Sequence, residues 1–218
     1  MNRPQIKICG LTDVNEAIRC AKAGADAIGL VFFEKSPRNV SETLAAEISK
    51  AIPESIASVG VFVNEPFDFI MNKVTLCHLD AVQLHGNESP ELVERLIKKN
   101  ICVIKALYMD SEPAVSGIDN YAAASFLVEC AKGVLPGGNA LSWNFSRVKA
   151  IATDKPLIIA GGLSPNNIID AVSSASPDVV DVSSGVESSP GKKDITKVKA
   201  FIENVLACNI EKKIRRLF

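Results

Sequence analysis

Short apolar segments rich in β-branched residues recur along the whole chain, each bounded by turn residues or a charge. There are eight of them, and most are almost continuously apolar rather than alternating. That pattern is typical of parallel strands that are covered by helices on one side and packed into a barrel interior on the other. In chain order they are IKIC, AIGLVFF, ASVGVFV, DAVQLH, CVIKAL, SFLVE, PLIIAGG and DVVDVSS.

Amphipathic segments that begin with helix-capping residues lie between these strands. The predicted helix starts are Thr12-Asp13, Ser41, Ser89-Pro90 and Ser164-Pro165. Gly24 is placed to end the first helix and Asn100 the fourth, since both residue types adopt the left-handed conformation found at helix ends. The fifth helix has the weakest pattern, because DSEPAVSGIDNYAA contains a proline and a glycine.

The spacing of the strands indicates a repeating strand-helix unit. Successive strands start about 20 to 32 residues apart, and eight such units fill a chain of 218 residues. This predicts an α/β fold, a single (β/α)8 TIM barrel over 1–218, with a basic segment at 210–218 typical of a helix end or a frayed tail. A doubly wound open sheet is the alternative, but the GxGxxG stretch that such a sheet normally carries after strand one is absent.

Composition narrows the class of ligand. The chain is 47% hydrophobic with a formal net charge of -1, so nothing in it favours nucleic acid, and a small molecule is the expected partner. No secretory signal and no apolar run of ~18 residues is found, which argues against a membrane protein. The six cysteines are scattered without a CxxC pair, as expected of reduced thiols in a cytoplasmic protein rather than a disulfide framework or zinc site.

In a TIM barrel the chemistry sits at the carboxyl ends of the strands. The polar and glycine residues that this fold brings to that rim are Cys9, Arg38, Asn64, His85, Glu129, Gly161, Gly162 and 181–185. Cys9 ends the first strand, where a cysteine is normally a buried, inert thiol; a metal ligand and a nucleophile or base are the alternatives.

Two glycine- and serine-containing loops predict a phosphate site. IIAGGLSPNN ends strand seven and DVSSGVESSPG ends strand eight, where barrels of this kind usually bind phosphate. We expect backbone N–H groups around Gly161, Gly162, Ser184 and Gly185 to hold the anion. The alternative is that these glycines only form tight turns.

An ordered set of motifs resembles the phosphoribosylanthranilate isomerase family over about residues 5 to 203. The motifs are KICGLT, GADAIGLVFFEKSPRNVS, VGVFVNEP, DAVQLHGNE, VIKAL, IIAGGLSPNN and VDVSSGVESSPGKKD. The resemblance implies a TIM barrel of the ribulose-phosphate-binding type. It also implies an Amadori rearrangement in tryptophan biosynthesis that converts N-(5-phosphoribosyl)anthranilate to carboxyphenylamino-deoxyribulose phosphate without metal or organic cofactor.

The same resemblance assigns roles to individual residues. Cys9 matches the general base, which needs an electropositive setting; Lys7 lies on the same strand face, with direct contact left open. Arg38 matches the clamp on the anthranilate carboxylate, with a solvated surface arginine as the alternative. Asp181 matches a position needed for activity, although it also suits a helix cap. His85 is expected to shape the pocket rather than to transfer a proton.

Strand six departs from the family pattern. The family reads close to LLLDS and then GGTGKTFDW, whereas this chain reads FLVECAKGVLPGGNALSWNFS, with a loop one residue shorter. The aspartate that serves as general acid is replaced by Glu129. Either Glu129 acts as the acid, or the acid lies elsewhere, or the protein has diverged toward a related aminoaldose phosphate.

Two rival functions remain open at this point. One is a different phosphate-binding barrel enzyme, although Cys9 does not suit indole-glycerol-phosphate synthase and two histidines do not suit a metal-dependent epimerase. The other is a catalytically impaired barrel that only binds a ligand. Both a monomer and a homodimer are compatible with the sequence.

Overall fold

The computed structural model describes residues 3–131 and 143–218. Eight parallel strands, β1 to β8, lie side by side in chain order. They form a closed barrel in which β1 pairs with β8. The strands are β1 Gln5–Cys9, β2 Ala27–Phe32, β3 Ala57–Phe62, β4 Ala81–Leu84, β5 Cys102–Tyr108, β6 Ser125–Glu129, β7 Leu157–Ile159 and β8 Val179–Val182. The predicted barrel and its eight strands are confirmed.

Six α-helices are described around the barrel, and short 3₁₀ helices take the place of two more. The α-helices are α1 Val14–Ala23, α2 Glu42–Ala51, α3 Phe67–Cys77, α4 Pro90–Ile97, α5 Ile168–Ala175 and α6 Ile195–Ala207. The 3₁₀ helices Val115–Asn120 and Phe145–Ala150 follow β5 and β6. The weak pattern after strand five therefore corresponds to a real shortening of the helix.

Most helix boundaries follow the capping residues. The side chains of Asp13, Ser41 and Ser89 each accept a hydrogen bond from a backbone N–H in the first turn of α1, α2 and α4. Gly24 ends α1 with φ +112°. Asn100 also has a left-handed φ of +60°, three residues past the end of α4.

The start predicted for the helix after strand seven is wrong. Ser164 and Pro165 lie in a turn, and α5 begins only at Ile168. The Asn167 side chain explains the delay, because its Oδ1 accepts from the Ser164 N–H at 2.8 Å and its Nδ2 donates to the Gly162 carbonyl at 2.8 Å. These bonds hold the loop after β7 in a compact turn instead of a helix.

Each strand has one face toward the barrel interior and one toward the helices. In β5, Ile104 and Ala106 pack in the interior, whereas Val103 and Leu107 pack beneath the helices. Both faces are apolar because both are buried, and each such side chain contributes on the order of 1.5–3 kcal/mol. This rigid wall fixes the positions of the strand ends.

The C-terminal segment 210–218 lies across the amino-terminal end of the barrel and is not a frayed tail in this structure. Arg215 forms hydrogen bonds of 2.7 and 3.1 Å to Asp178, whose side chain is fully buried. Gln5 accepts from the Leu217 N–H at 2.6 Å and donates to the Phe218 carbonyl at 2.6 Å. Leu217 and Phe218 pack on the interior cluster, at the end of the barrel opposite the predicted site.

After β8 the chain forms a 3₁₀ helix, Ser184–Val186, and a short antiparallel hairpin. Its strands are β9 Glu187–Ser189 and β10 Lys192–Lys193, with Lys193 paired to Glu187. The hairpin thus places a lysine beside a glutamate at the carboxyl-terminal rim. Among the described residues, no helix has the length and hydropathy required to cross a membrane.

Candidate active site

A cavity with about 750 Å³ of empty space, including its mouth, opens at the carboxyl ends of the strands. Residues from strands and loops far apart in sequence line it: Cys9, Val31, Phe33, Ser36, Arg38, Val61, Val63, Gln83, His85, Glu129, Ala160, Gly161, Gly162, Leu163, Asp181, Val182, Ser183 and Ser184. Cys9, Arg38, His85, Glu129 and Asp181 therefore come together as predicted. Asn64, expected at the same rim, is exposed and outside this lining.

Cys9 ends β1 at the wall of the cavity and is only 9% exposed. Its neighbour across the β1–β2 pair is Gly29. A Cβ at position 29 would lie 2.6 Å from the Cys9 Sγ and 2.9 Å from the Cys9 Cα, which is too close for either atom. The glycine in β2 therefore provides the space that the thiol occupies.

Lys7 and Asp181 form a buried ion pair behind Cys9. They are register partners on β1 and β8, and the Lys7 Nζ donates to the Asp181 Oδ2 at 2.7 Å. Lys7 also lies close enough to Cys9 for its positive charge to lower the pKa of the thiol. The other Asp181 oxygen, Oδ1, is buried and has no hydrogen-bond partner in the described part of the chain.

The electrostatics of the thiol result from opposing effects. Burial raises the pKa of Cys9 above its ordinary value, and the nearby Asp181 charge adds to this, while Lys7 and Lys193 lower the pKa but do not outweigh burial. For Lys7, burial lowers the pKa, but Asp181 and Cys9 together raise it above its usual value. A charged lysine thus stands beside a thiol that keeps its proton at neutral pH.

Glu129 ends β6 and lines the same cavity, with 7% of its side chain exposed. Burial raises its pKa to about 7, helped by the Asp181 charge and opposed by Lys7. A carboxyl with this pKa is partly protonated at neutral pH, which is the property required of a general acid.

His85 lies beside Glu129 and is oriented by Gln83. The Gln83 amide Nε2 lies 2.8 Å from the His85 Nδ1, a hydrogen bond that orients the ring. That Nε2 lies 3.9 Å from the Glu129 Oε1. His85 is buried and lines the cavity, as expected of a residue that shapes the pocket.

Arg38 reaches the cavity from the loop after β2, and its side chain is 12% exposed. Its guanidinium forms two 2.8 Å hydrogen bonds to Glu187, from Nε to Oε1 and from Nη2 to Oε2. The alternative of a solvated surface arginine is wrong, because the side chain is held against the β9 hairpin.

The two glycine- and serine-containing loops meet at one side of the cavity. Gly161 and Gly162 have φ of +81° and +68°, a conformation that favours glycine, and both line the cavity together with Ser184. Gly185 is outside the lining. A side chain there would collide with the Leu163 carbonyl oxygen, so this glycine allows the two loops to approach each other.

The loop after β6 lies largely outside the described residues. The predicted one-residue shortening and the replaced GTGK-type stretch fall within 132–142. Trp143, just beyond, packs against Phe145 with ring centroids 4.8 Å apart, and its Nε1 donates to the Ala160 carbonyl at 3.1 Å. Trp143 therefore packs beside the end of β7 and is not among the residues that line the cavity.

Three residues near the site were not assigned from the sequence: Glu187, Lys193 and Gln83. Glu187 and Lys193 belong to the motif VESSPGKKD, but a glutamate and a lysine six positions apart do not by themselves indicate a hairpin that pairs them. Gln83 lies two residues before His85 on one strand face, which is the signal that could have linked them. No group of three or more potential metal ligands occurs within 3–131 and 143–218.

Comparison with known proteins gives one consistent answer. The family model described as N-(5'phosphoribosyl)anthranilate (PRA) isomerase matches residues 6–204. The N-(5'-phosphoribosyl)anthranilate isomerase of Desulfatibacillum aliphaticivorans is 50% identical over 214 residues, which cover 98% of each chain. The isomerase of Geobacter sulfurreducens is 41% identical, over 91% of this chain and 96% of that one.

Solved structures agree with the sequence relatives. Phosphoribosyl anthranilate isomerase from Thermotoga maritima superposes with a TM-score of 0.84 at 37% identity, covering 94% of this chain and all of that one. A second structure of such an isomerase, at TM-score 0.81 and 36% identity with the same coverage, is in complex with reduced 1-(o-carboxyphenylamino)-1-deoxyribulose 5-phosphate.

Proposed function

The chain belongs to the N-(5'-phosphoribosyl)anthranilate isomerase family, and we propose that it catalyses that isomerisation with Cys9 as general base and Glu129 as general acid. The reaction is an aldose-ketose rearrangement in tryptophan biosynthesis. One observation carries the assignment: a buried thiol at the end of β1 and a carboxyl with a pKa of about 7 at the end of β6 line one cavity.

Glu129 donates its proton to the ribose ring oxygen. The bond between this oxygen and C1 breaks as the aryl nitrogen supplies its lone pair, and the open-chain Schiff base results. Cys9 then removes the proton from C2, and the electrons of the C–H bond form the enolamine. Transfer of the C2 hydroxyl proton and protonation of C1 give the ketone.

The reaction requires the thiolate of Cys9 and the neutral acid of Glu129 at the same time. Because burial raises the pKa of Cys9, the two groups share a single proton between pH ~7 and the pKa of the thiol. The catalytic form is the one in which that proton is on Glu129. Lys7 favours the thiolate, since its positive charge lowers the pKa of Cys9.

The two anionic groups of the substrate are assigned to two sets of residues at the cavity. Arg38 supplies planar guanidinium donors for the anthranilate carboxylate. The loops of Gly161, Gly162 and Ser184 supply backbone N–H groups for the phosphate, and Gly185 brings the second loop close to the first. His85 borders the acid, and Asp181 holds Lys7 against Cys9.

The proposed surroundings of the enzyme follow from its chemistry. All six cysteines are free thiols, which supports a cytoplasmic location. One copy of the chain builds the whole described cavity, so either a monomer or a homodimer can bind the small phosphorylated substrate. We propose no nucleic acid or membrane partner.

Replacing Cys9 tests the base. With substrate generated in situ from anthranilate and ribose 5-phosphate, Cys9→Ala should lower kcat about 10²- to 10⁴-fold, the usual contribution of a positioned base. Cys102→Ala is the control, since that thiol starts β5 at the other end of the barrel. Wild-type turnover that survives in Cys9→Ala would remove the base assignment, and a wild-type protein without turnover would remove the proposed activity.

A further inference from the structure

The Glu187 carboxylate lies at the centre of a cluster of cations beside the cavity. Its Oε1 accepts from the Arg38 Nε at 2.8 Å and from the Lys193 Nζ at 2.7 Å, and its Oε2 accepts from the Arg38 Nη2 at 2.8 Å. Only 5% of the Glu187 side chain is exposed. Neither the mechanism nor the phosphate site uses this glutamate.

The Arg38–Glu187 pair determines which edge of the guanidinium remains available for a ligand. Glu187 occupies the side edge, formed by Nε and Nη2. The end edge, formed by Nη1 and the second hydrogen of Nη2, is the other edge that can bind a carboxylate with two hydrogen bonds. Within the described residues Nη1 makes no hydrogen bond, and Arg38 lines the cavity.

Both partners of the pair are held on more than one side. The Arg38 N–H donates to the Ser36 Oγ at 3.1 Å, and the Arg38 stem fills the space that a side chain on Gly10 would take. The Glu187 backbone carbonyl accepts from the Lys197 Nζ at 2.7 Å. An arginine fixed in this way loses less rotamer entropy when a ligand binds.

The charges of the cluster also match a carboxylate. Two basic side chains, Arg38 and Lys193, are bonded to the single Glu187 carboxylate, and the Lys197 Nζ lies 2.7 Å from the Glu187 backbone carbonyl. Basic groups therefore outnumber the acidic group around Glu187, which suits an incoming carboxylate.

We propose that Glu187 is a positioning residue that makes the site selective for a carboxylated aryl amine, by holding Arg38 with its end edge toward the substrate. The inference rests on the proposed function, in which Arg38 binds the anthranilate carboxylate. Lys193 serves the same purpose by anchoring the Glu187 Oε1.

The test is a binding experiment that needs no turnover. Two ligands are compared by calorimetry: reduced 1-(o-carboxyphenylamino)-1-deoxyribulose 5-phosphate, and the same compound made from aniline, which lacks the carboxylate. The selectivity is the ratio of their dissociation constants. It is measured for the wild type, Arg38→Met, Glu187→Gln and the double variant.

In Glu187→Gln the selectivity should fall about tenfold or more, the equivalent of one charge-assisted hydrogen bond. Affinity for the aniline compound should stay within about twofold to threefold, the size of an ordinary context effect on a single interaction. In the Arg38→Met background the same substitution should leave the selectivity unchanged, because Glu187 acts through Arg38.

Two further variants keep the result interpretable. Glu187→Asp retains the charge in a shorter side chain, so it protects the fold and should lower the selectivity by less than Glu187→Gln does. Glu88→Gln is the matched control, since Glu88 is also a buried carboxylate bonded to a lysine, Lys105 at 2.7 Å, but lies outside the cavity lining. It should leave the selectivity unchanged.

The outcomes separate this inference from the proposed function. If the wild type and Arg38→Met differ in selectivity but Glu187→Gln matches the wild type, the positioning role is wrong and the function stands. An equal loss of affinity for both ligands in Glu187→Gln would also overturn it, since that indicates a structural role. If the wild type does not distinguish the two ligands, the carboxylate clamp itself is wrong.

Discussion

Replacing Glu129 by glutamine should stabilise the folded protein at neutral and alkaline pH. Glutamine has nearly the same shape but no charge to bury. In the described part of the chain the Glu129 carboxyl forms no hydrogen bond, and its nearest charged-group contact is the His85 Nε2 at 3.9 Å. The substitution therefore removes the cost of ionising a buried group and breaks little else.

The magnitude follows from the pKa. Burial raises the pKa of Glu129 from 4.5 to about 7. Each pKa unit is worth ~1.4 kcal/mol, so the ionised form costs the folded state about 3 kcal/mol. A raised pKa in the folded state means that this penalty is absent below pH ~4.5, grows as the pH rises, and is complete above pH ~7.

Urea unfolding of the wild type and Glu129→Gln at several pH values between 5 and 8 measures the effect. The gain in free energy of unfolding should be small at pH 5 and approach about 3 kcal/mol at pH 8, with equal m-values. Glu94→Gln, an exposed glutamate on α4, is the control and should stay within about 0.5 kcal/mol of the wild type at every pH. A gain that does not vary with pH, or a loss of stability at pH 8, would refute the reasoning.

Three further predictions concern other parts of the molecule. The kcat/KM should rise with pH through about pH 7, where the pair of Glu129 and Cys9 loses its first proton. It should fall again at pH values above the usual pKa of a thiol, where the pair loses its second proton. A profile without an acidic limb near pH 7 would contradict the sharing of one proton by the two groups. Gly29→Ala should displace Cys9, destabilise the fold by about 1–3 kcal/mol and lower kcat on the order of 100-fold. A variant with the kcat of the wild type would show that the contact between position 29 and Cys9 is not tight. Arg215→Ala should lower the free energy of unfolding by about 1–3 kcal/mol in a thermal unfolding experiment, because it removes hydrogen bonds to the buried Asp178 carboxylate while Lys212, at 3.1 Å, remains. The kcat at 25 °C should stay unchanged, since this pair lies at the far end of the barrel, and unchanged stability would contradict the role of the pair.

The fold could be predicted from the sequence because its signals are local. Continuous apolar runs mark strands buried on both faces, and Asp13, Ser41 and Ser89 mark the helices that follow. The prediction failed at Ser164, where an asparagine side chain replaces the first turn of a helix with a polar turn. Competition of that kind between a side chain and the backbone is not visible in a pattern of apolar residues.

The sequence predicted those site residues whose positions are determined by the end of a strand. Cys9 and Glu129 each end a strand and Asp181 is the last residue but one of β8, so the barrel alone brings them to one rim. The Lys7–Asp181 pair depends on the β1–β8 register, which closes the barrel and cannot be read from either strand separately.

The contact between Arg38 and Glu187 could not be predicted from the sequence, because it joins a loop to a hairpin 149 residues away. The same limit applies to the pKa of Glu129, because desolvation is a property of everything packed around a carboxyl rather than of its neighbours in the chain.

Turnover of the Glu129 variants tests the central claim most directly. The Glu129→Gln and Glu129→Asp proteins are assayed for isomerisation of N-(5'-phosphoribosyl)anthranilate, with urea unfolding as the check that each is folded. If Glu129 is the acid, Glu129→Gln should lose about 10²- to 10⁴-fold in kcat, and Glu129→Asp, which keeps a carboxyl acid in a shorter side chain, should retain more activity than Glu129→Gln. A folded Glu129→Gln protein with the kcat of the wild type would contradict the account.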